Sequence, residues 1–157
     1  MRVGWGVDVH RFAPEGEVRL AGLVADPTRG VAATSDGDVA AHALIDALLG
    51  AAALGDLGTF YPSDDPRWED ADSMALLADA AGRVVGSGFS ISSVDVTVVS
   101  ESVRVEPIRD AIRAAIASTL QIPVDAVSVK ATTSDGLGFT GRDEGLAALA
   151  VAVLDEG

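Results

Sequence analysis

The chain has two histidines, His10 and His42, and each stands beside carboxylates at a spacing a metal ion can use. Asp8 and His10 are two residues apart in an alternating run, so on a strand both project to the same face. His42 lies between Asp38 and Asp46, four residues to either side, and on a helix the three share a face. Zn²⁺ takes imidazole nitrogen and carboxylate oxygen, and a site with three protein ligands and an open fourth position is a catalytic pattern. Asp8, His10 and His42 make such a set, with Asp38 or Asp46 available to accept an imidazole N–H behind it. Without a metal, the same residues would be ordinary histidines at the surface or the core edge.

A second cluster runs from Lys130 to Arg142, as KATTSDGLGFTGR. It offers hydroxyls, backbone N–H groups and cations to phosphate oxygens. A tight turn would use the same glycines, and Lys130 on a strand fits a snorkelling structural role nearly as well. Ser100 to Pro107 (SESVRVEP) is a third candidate, placing Arg104 in a connection after a long strand. Together these residues describe a metal-dependent enzyme or a metal-binding module directed at phosphates. They do not name a substrate.

Composition bounds that picture. At 157 residues the chain is expected to be one domain across 1–157, large enough for a real core. It is 48% hydrophobic but 4% aromatic, so the core must be built from Ala, Val, Leu and Ile. Small side chains bury little area each, which favours further burial in an oligomer. A net charge of −13 argues against nucleic acid or an anionic membrane as partner. An anionic substrate would therefore need metal ions or a local cluster of donors. The lack of Cys excludes disulfides, thiolate metal sites and Cys nucleophiles. The first residues read as a strand rather than a signal segment, and the apolar run Leu146 to Leu154 is too short to span a membrane, so a cytoplasmic protein is expected.

The elements that must position the chemistry follow from periodicity. Arg2 to His10 reads as a strand, Val18 to Val24 as a short strand pair, and Asp26 to Gly30 as a turn. An Ala- and Leu-rich helix is expected over Val39 to Leu54, capped by Asp36 or Asp38. Gly55 to Asp72 reads as an irregular, acidic loop. Helices follow over Ser73 to Gly86 and from Glu106 or Pro107 to Leu120, with strands over Phe89 to Val99, Ala126 to Thr132 and Glu144 to Leu154. Ser134 to Gly141 reads as a Gly-rich loop. This order predicts an α+β fold, a mixed β-sheet with helices on one face. The last strand is apolar on both sides, as a subunit interface on its outer face would require.

Taken in order, the motifs resemble the 2-C-methyl-D-erythritol 2,4-cyclodiphosphate synthase family. The matching stretches are DVHRF from Asp8, SDGDV from Ser35 and on through the helix to Gly58, and PSDDP from Pro62. ADS from Ala71, VKATT from Val129 and LGFTGRDEG from Leu137 complete a match over essentially the whole chain. The resemblance implies protomers packed as a homotrimer about a threefold axis, with active sites between subunits. It implies Zn²⁺, or another divalent transition metal, on Asp8, His10 and His42. A second ion, Mg²⁺ or Mn²⁺, would be held chiefly by the substrate diphosphate and by Asp135. The implied substrate is 4-diphosphocytidyl-2-C-methyl-D-erythritol 2-phosphate, whose 2-phosphate attacks the β-phosphorus and expels CMP. Such chemistry needs no protein nucleophile, only in-line positioning and charge neutralisation.

Residue by residue, the resemblance assigns Thr34, Ser35, Thr133 and Asp135 to catalysis. Ser35 and Thr133 would donate to the phosphates. Asp56, Leu57 and Gly58 would hold the erythritol hydroxyls, with Tyr61, Pro62, Ser63, Asp64 and Asp65 lining that pocket. Ser100, Val103, Arg104, Val105, Glu106, Ala131 and Thr132, with Thr133, would hold the cytidine from the neighbouring subunit. Asp8, Val9, His10, Phe139 and Arg142 complete the substrate contacts, and Arg142 with Glu144 would face a central cavity where an anionic isoprenoid docks. Four positions depart from the family pattern. Thr34 replaces a usual His and cannot carry positive charge. Val103-Arg104-Val105 replaces a Pro-Lys-hydrophobic stretch. Asp135 replaces the longer Glu, and Trp5 stands where His is common. Another metal-dependent phosphoesterase on the same scaffold, or a non-catalytic trimer binding metal or isoprenoid, are the alternatives.

Overall fold

A computed structural model describes the whole chain, Met1–Gly157. It opens with strands β1 (Arg2–Ala13), β2 (Val18–Leu20), β3 (Leu23–Asp26) and β4 (Gly30–Val31). Helices α1 (Val39–Ala51), α2 (Leu57–Phe60) and α3 (Ser73–Gly86) come next, then β5 (Phe89–Val99) and α4 (Arg109–Leu120). Strand β6 (Val127–Thr132), the single turn α5 (Gly138–Gly141) and β7 (Gly145–Glu156) end the chain. The main sheet has the order β4-β1-β7-β5-β6, antiparallel except for the parallel β5–β6 pair. A separate β2–β3 hairpin stands beside it. The α+β reading therefore holds, with α1 on β1 and β7, α3 on β5, and α4 on β6.

Helix α1 is apolar over most of its surface because it is enclosed on most sides; eleven of its thirteen residues are buried, all but Asp46 and Gly50. The core of 36 buried residues holds one aromatic ring, Tyr61, and otherwise consists of Ala, Val, Leu and Ile. The far face of the sheet is left open. Val3, Trp5, Val7 and Val9 on β1, and Leu149 and Val151 on β7, are exposed there. The outer side of the last strand is thus uncovered within one protomer.

Several boundaries differ from the sequence expectation. Strand β1 continues past His10 to Ala13 because Phe12 and Ala13 pair with β4. Helix α1 stops at Ala51, three residues before Leu54, where Ala53 takes a left-handed conformation. Gly55 to Asp72 is not irregular throughout. It contains α2, closed by a capping box between Asp56 and Thr59, and a 3₁₀ turn at Pro66–Trp68 capped by Asp65. The Gly-rich loop likewise ends in α5.

Candidate metal centre and active site

The site begins with two absent side chains. Gly4 and Gly6 face α1 from β1, and a Cβ on either would collide with a backbone carbonyl of the helix, Ala47 or Ala43. Their lack of Cβ lets α1 lie directly on the strand. Asp8 and His10, next on the same face of β1, then meet His42 of α1. His42 Nδ1 lies 3.0 Å from Asp8 Oδ2, and His10 Nε2 lies 3.0 Å from the same oxygen. The two facing ring nitrogens are 3.4 Å apart. One ligand atom from each residue falls within 4.8 Å of the others. The other His10 nitrogen, Nδ1, is 3.2 Å from the Ala32 carbonyl, which fixes that ring's orientation. Two imidazoles converging on one carboxylate oxygen form an N, N, O donor set that fits a divalent transition metal.

The electrostatics agree. Burial pushes the Asp8 carboxyl up, but hydrogen bonds and charge from His10 and His42 outweigh it and hold the group well below the usual carboxylate range. Burial pushes His10 down, and the Asp8 carboxylate, with the Ala32 carbonyl and the charge of Asp36, more than reverses this.

The cluster forms one wall of a cavity of about 150 Å³. Thr34 and Ser35 line it from the turn before α1, Leu57 from α2, and Tyr61, Ser63 and Trp68 from the connection to α3. Leu76 closes it from α3. Thr34 and Ser63 also border a neighbouring acidic hollow with Asp64, Asp65 and Asp70; Pro62 lines neither. Tyr61 is anchored from behind, because its hydroxyl donates to Asp79 Oδ2 at 2.6 Å and Arg83 Nε donates to the same oxygen at 2.7 Å. Burial and the Asp79 carboxylate push the Tyr61 hydroxyl up to about 12. Trp68 meets the Tyr61 ring edge-on, with centroids 5.3 Å apart.

The residues around His42 differ from the sequence expectation. Neither Asp38 nor Asp46 touches its imidazole. Asp38 is fully buried and accepts backbone N–H groups from Ala21, Gly22 and Ala41 at 3.0, 2.7 and 3.0 Å. Asp46 accepts the Leu57 N–H at 2.7 Å. The partners of His42 Nε2 are hydroxyls instead, Ser73 Oγ at 2.8 Å and Ser35 Oγ at 3.2 Å. Sequence reasoning missed Ser73, Trp68 and Leu76 as parts of the site. A Trp inside a polar loop, and the ADS motif that ends at Ser73, were the visible signals among them.

Other expected residues lie elsewhere in the protomer. Val9 points to the opposite, exposed face of β1. Asp56 caps α2 and borders a hollow beneath Trp5 with Asp46, and Gly58 lies in α2 behind it. None of Ser100 to Glu106, Ala131 to Thr133, Asp135, Phe139 or Arg142 lines the cavity beside His42. Ser100 and Thr132 are neighbours, since the Ser100 N–H donates to the Thr132 carbonyl at 3.1 Å. The side chains of Val103 and Val105 join the core, whereas Arg104 and Glu106 are exposed. Arg142 pairs with Glu144 at 3.1 Å. Lys130, offered as a phosphate-binding cation, pairs with Asp95 across the parallel strands at 2.5 Å.

Comparison with known proteins agrees with this architecture. The YgbB family matches residues 1–155. The 2-C-methyl-D-erythritol 2,4-cyclodiphosphate synthase of Pseudomonas savastanoi pv. phaseolicola is 50% identical over 154 residues, covering 98% of each chain. The bifunctional IspDF from Campylobacter jejuni superposes with a TM-score of 0.96 at 42% identity over 99% of this chain. This chain spans 42% of that longer protein. A 2C-methyl-D-erythritol-2,4-cyclodiphosphate synthase solved in a CDP-bound form gives a TM-score of 0.89 at 34% identity, covering 98% of this chain and all of the other. With the fold, the metal-ready cluster and near full-length identity in accord, the chain belongs to the YgbB family, the family of 2-C-methyl-D-erythritol 2,4-cyclodiphosphate synthases.

Proposed function

We propose that the cavity beside Asp8, His10 and His42 closes 2-C-methyl-D-erythritol 2,4-cyclodiphosphate from 4-diphosphocytidyl-2-C-methyl-D-erythritol 2-phosphate in isoprenoid precursor synthesis. An oxygen of the 2-phosphate attacks the β-phosphorus, and the bond from that phosphorus to the oxygen of the departing CMP breaks. The enzyme is thus a phosphorus–oxygen lyase. The observation that carries this is the converged Asp8–His10–His42 cluster within the cavity. A divalent ion on those three residues, Zn²⁺ by its donor set, and a Mg²⁺ or Mn²⁺ on the diphosphate and Asp135 would neutralise charge on the phosphoryl oxygens.

The chain's own groups bind and orient. Ser35 and Thr34 offer hydroxyls to the phosphates from the turn before α1, with Thr133 added by a neighbouring protomer. The α2 start, Asp56 to Gly58, meets the erythritol hydroxyls, and the Tyr61 to Asp65 segment encloses that end. Ser100 to Glu106 and Ala131 to Thr133 of an adjacent protomer hold the cytidine. The exposure of Arg104, Glu106 and Ala131 to Thr133, the absence of all these residues from the cavity lining within one chain and the open apolar sheet face support a homotrimer with shared sites. The relative solved in a CDP-bound form supports a cytidine diphosphate moiety as ligand. We assign Arg142 and Glu144 to the central cavity of that trimer, and the reaction to the cytoplasm; no helix is long and apolar enough to cross a membrane. Phosphorus NMR of the purified protein with Zn²⁺, Mg²⁺ and this substrate tests the proposal. Cyclic diphosphate and CMP are expected. Inorganic phosphate or a linear phosphate would instead favour another phosphoesterase on this scaffold, and absence of turnover a binding protein.

A further inference from the structure

Behind the metal cluster, the hydrogen bonds of His42 permit one arrangement of protons. Ser73 is fully buried, and its hydroxyl has two partners, Asp36 Oδ1 and His42 Nε2. The other oxygen of Asp36 accepts the backbone N–H of Ser73 at 3.0 Å. A carboxylate accepts and does not donate, so the single Ser73 proton goes to Asp36. Ser73 Oγ must then accept from His42, which requires a proton on Nε2. The lone pair of a neutral imidazole so protonated is on Nδ1, the atom facing Asp8 and His10. Ser35 Oγ is 3.2 Å from the same Nε2 and accepts the Gly37 N–H at 3.3 Å. Because Nε2 already carries hydrogen, Ser35 has no acceptor there, and its proton is available to an oxygen in the cavity it lines.

We propose that Asp36 and Ser73 are positioning residues that hold the His42 ring proton on Nε2, so that Nδ1 receives the metal and the Ser35 hydroxyl is free to donate to substrate. This deepens the metal reading of the Asp8–His10–His42 cluster and rests on it. The relay spans three segments, the turn before α1, the first residue of α3 and the first turn of α1, so the ligand's tautomer depends on how those segments dock.

The test reverses the relay and then cuts it. Both Asp36 oxygens accept a backbone N–H, Oδ2 from Ser73 at 3.0 Å and Oδ1 from Asp38 at 3.3 Å, so in Asp36→Asn the shorter bond keeps the amide oxygen at the Oδ2 position and the NH₂ takes the Oδ1 position. The amide NH₂ then donates to Ser73 Oγ and turns the serine proton onto His42 Nε2, driving the ring proton toward Nδ1. Competition of the metal-stripped protein against a chromophoric chelator should show Zn²⁺ affinity about 10- to 100-fold weaker in Asp36→Asn. Adding Ser73→Ala to that variant removes the misdirected proton, and part of the affinity should return because Ser35 Oγ still accepts from Nε2. A merely structural role for the two residues gives a double variant no tighter than Asp36→Asn. That result, or wild-type affinity in Asp36→Asn, overturns the proposal. Nitrogen-15 NMR of Zn²⁺-loaded wild type gives a reading that needs no variant to fold. With two histidines in the chain, it should place the His42 proton on Nε2, in slow exchange, and the His10 proton on Nδ1; a His42 proton on Nδ1 overturns the relay. If wild type binds no Zn²⁺ at all, the metal reading falls with it, whereas normal Zn²⁺ binding without the rescue sinks the relay alone.

Discussion

Tyr61 shows how one residue ties the cavity wall to the core. Its ring lines the cavity while its hydroxyl is held by Asp79, so the neutral phenol is favoured. With the folded value raised from 10.0 to about 12, the stabilisation is complete below pH 10 and is lost as pH rises through about 12. Tyr61 is the chain's single tyrosine, so an alkaline absorbance titration reads it directly. A native midpoint near 12 is expected, and one at the unfolded value would contradict the anchor. At this scale the cluster that could hold a metal was legible in the sequence. Histidine is scarce here, and strand alternation and helical spacing bring Asp8, His10 and His42 to facing surfaces. Asp36 and Ser73 fall in the SDGDV and ADS motifs, but their pairing behind His42 was not legible, since they lie 37 residues apart and a serine at a helix start has an ordinary explanation.

Among the elements, α1 decides whether the site exists, and Asp38 decides how α1 begins. Helical spacing put Asp38 on the His42 face and suggested support for the imidazole. As N-cap, however, Asp38 has an extended backbone (φ −72°, ψ 93°) and does not follow the helical direction. Its carboxylate turns instead to the β2–β3 turn and joins that hairpin to the helix start. Asp38→Ala leaves three backbone N–H groups without their acceptor, and thermal or denaturant unfolding should show a loss of about 3 kcal/mol or more. A change below about 0.5 kcal/mol, the usual scale for surface substitutions, would contradict this role. The long elements were readable because α1, α3, β5 and β7 sustain a period over many residues. Helix α2, the Pro66–Trp68 turn and α5 are three or four residues long, too short for a period, and capping by Asp56 and Asp65 defines the first two.

For the whole molecule, the unresolved balance is between an apolar sheet face and a net charge of −13. Val3, Trp5, Val7, Val9, Leu149 and Val151 form an exposed apolar strip on the face opposite the helices. An extended apolar surface of this kind marks an association site, and in the proposed trimer it would be covered while the cytidine segments meet the metal cluster of the next protomer. Trp5→Glu places charge in that strip. Light scattering should then move from the trimer toward the 15.9 kDa protomer, with CMP release falling as assembly is lost. A trimer that survives the substitution unchanged would place the interface elsewhere. The central claim is that the three-residue cluster holds the metal on which turnover depends. Its most direct test is Zn²⁺ titration of the metal-stripped protein in the presence of Mg²⁺ and substrate, counting CMP released against metal bound. Turnover should rise with Zn²⁺ to one ion per chain and stay absent in His42→Ala. Full CMP release from the metal-stripped protein, or undiminished Zn²⁺ uptake by His42→Ala, would contradict it.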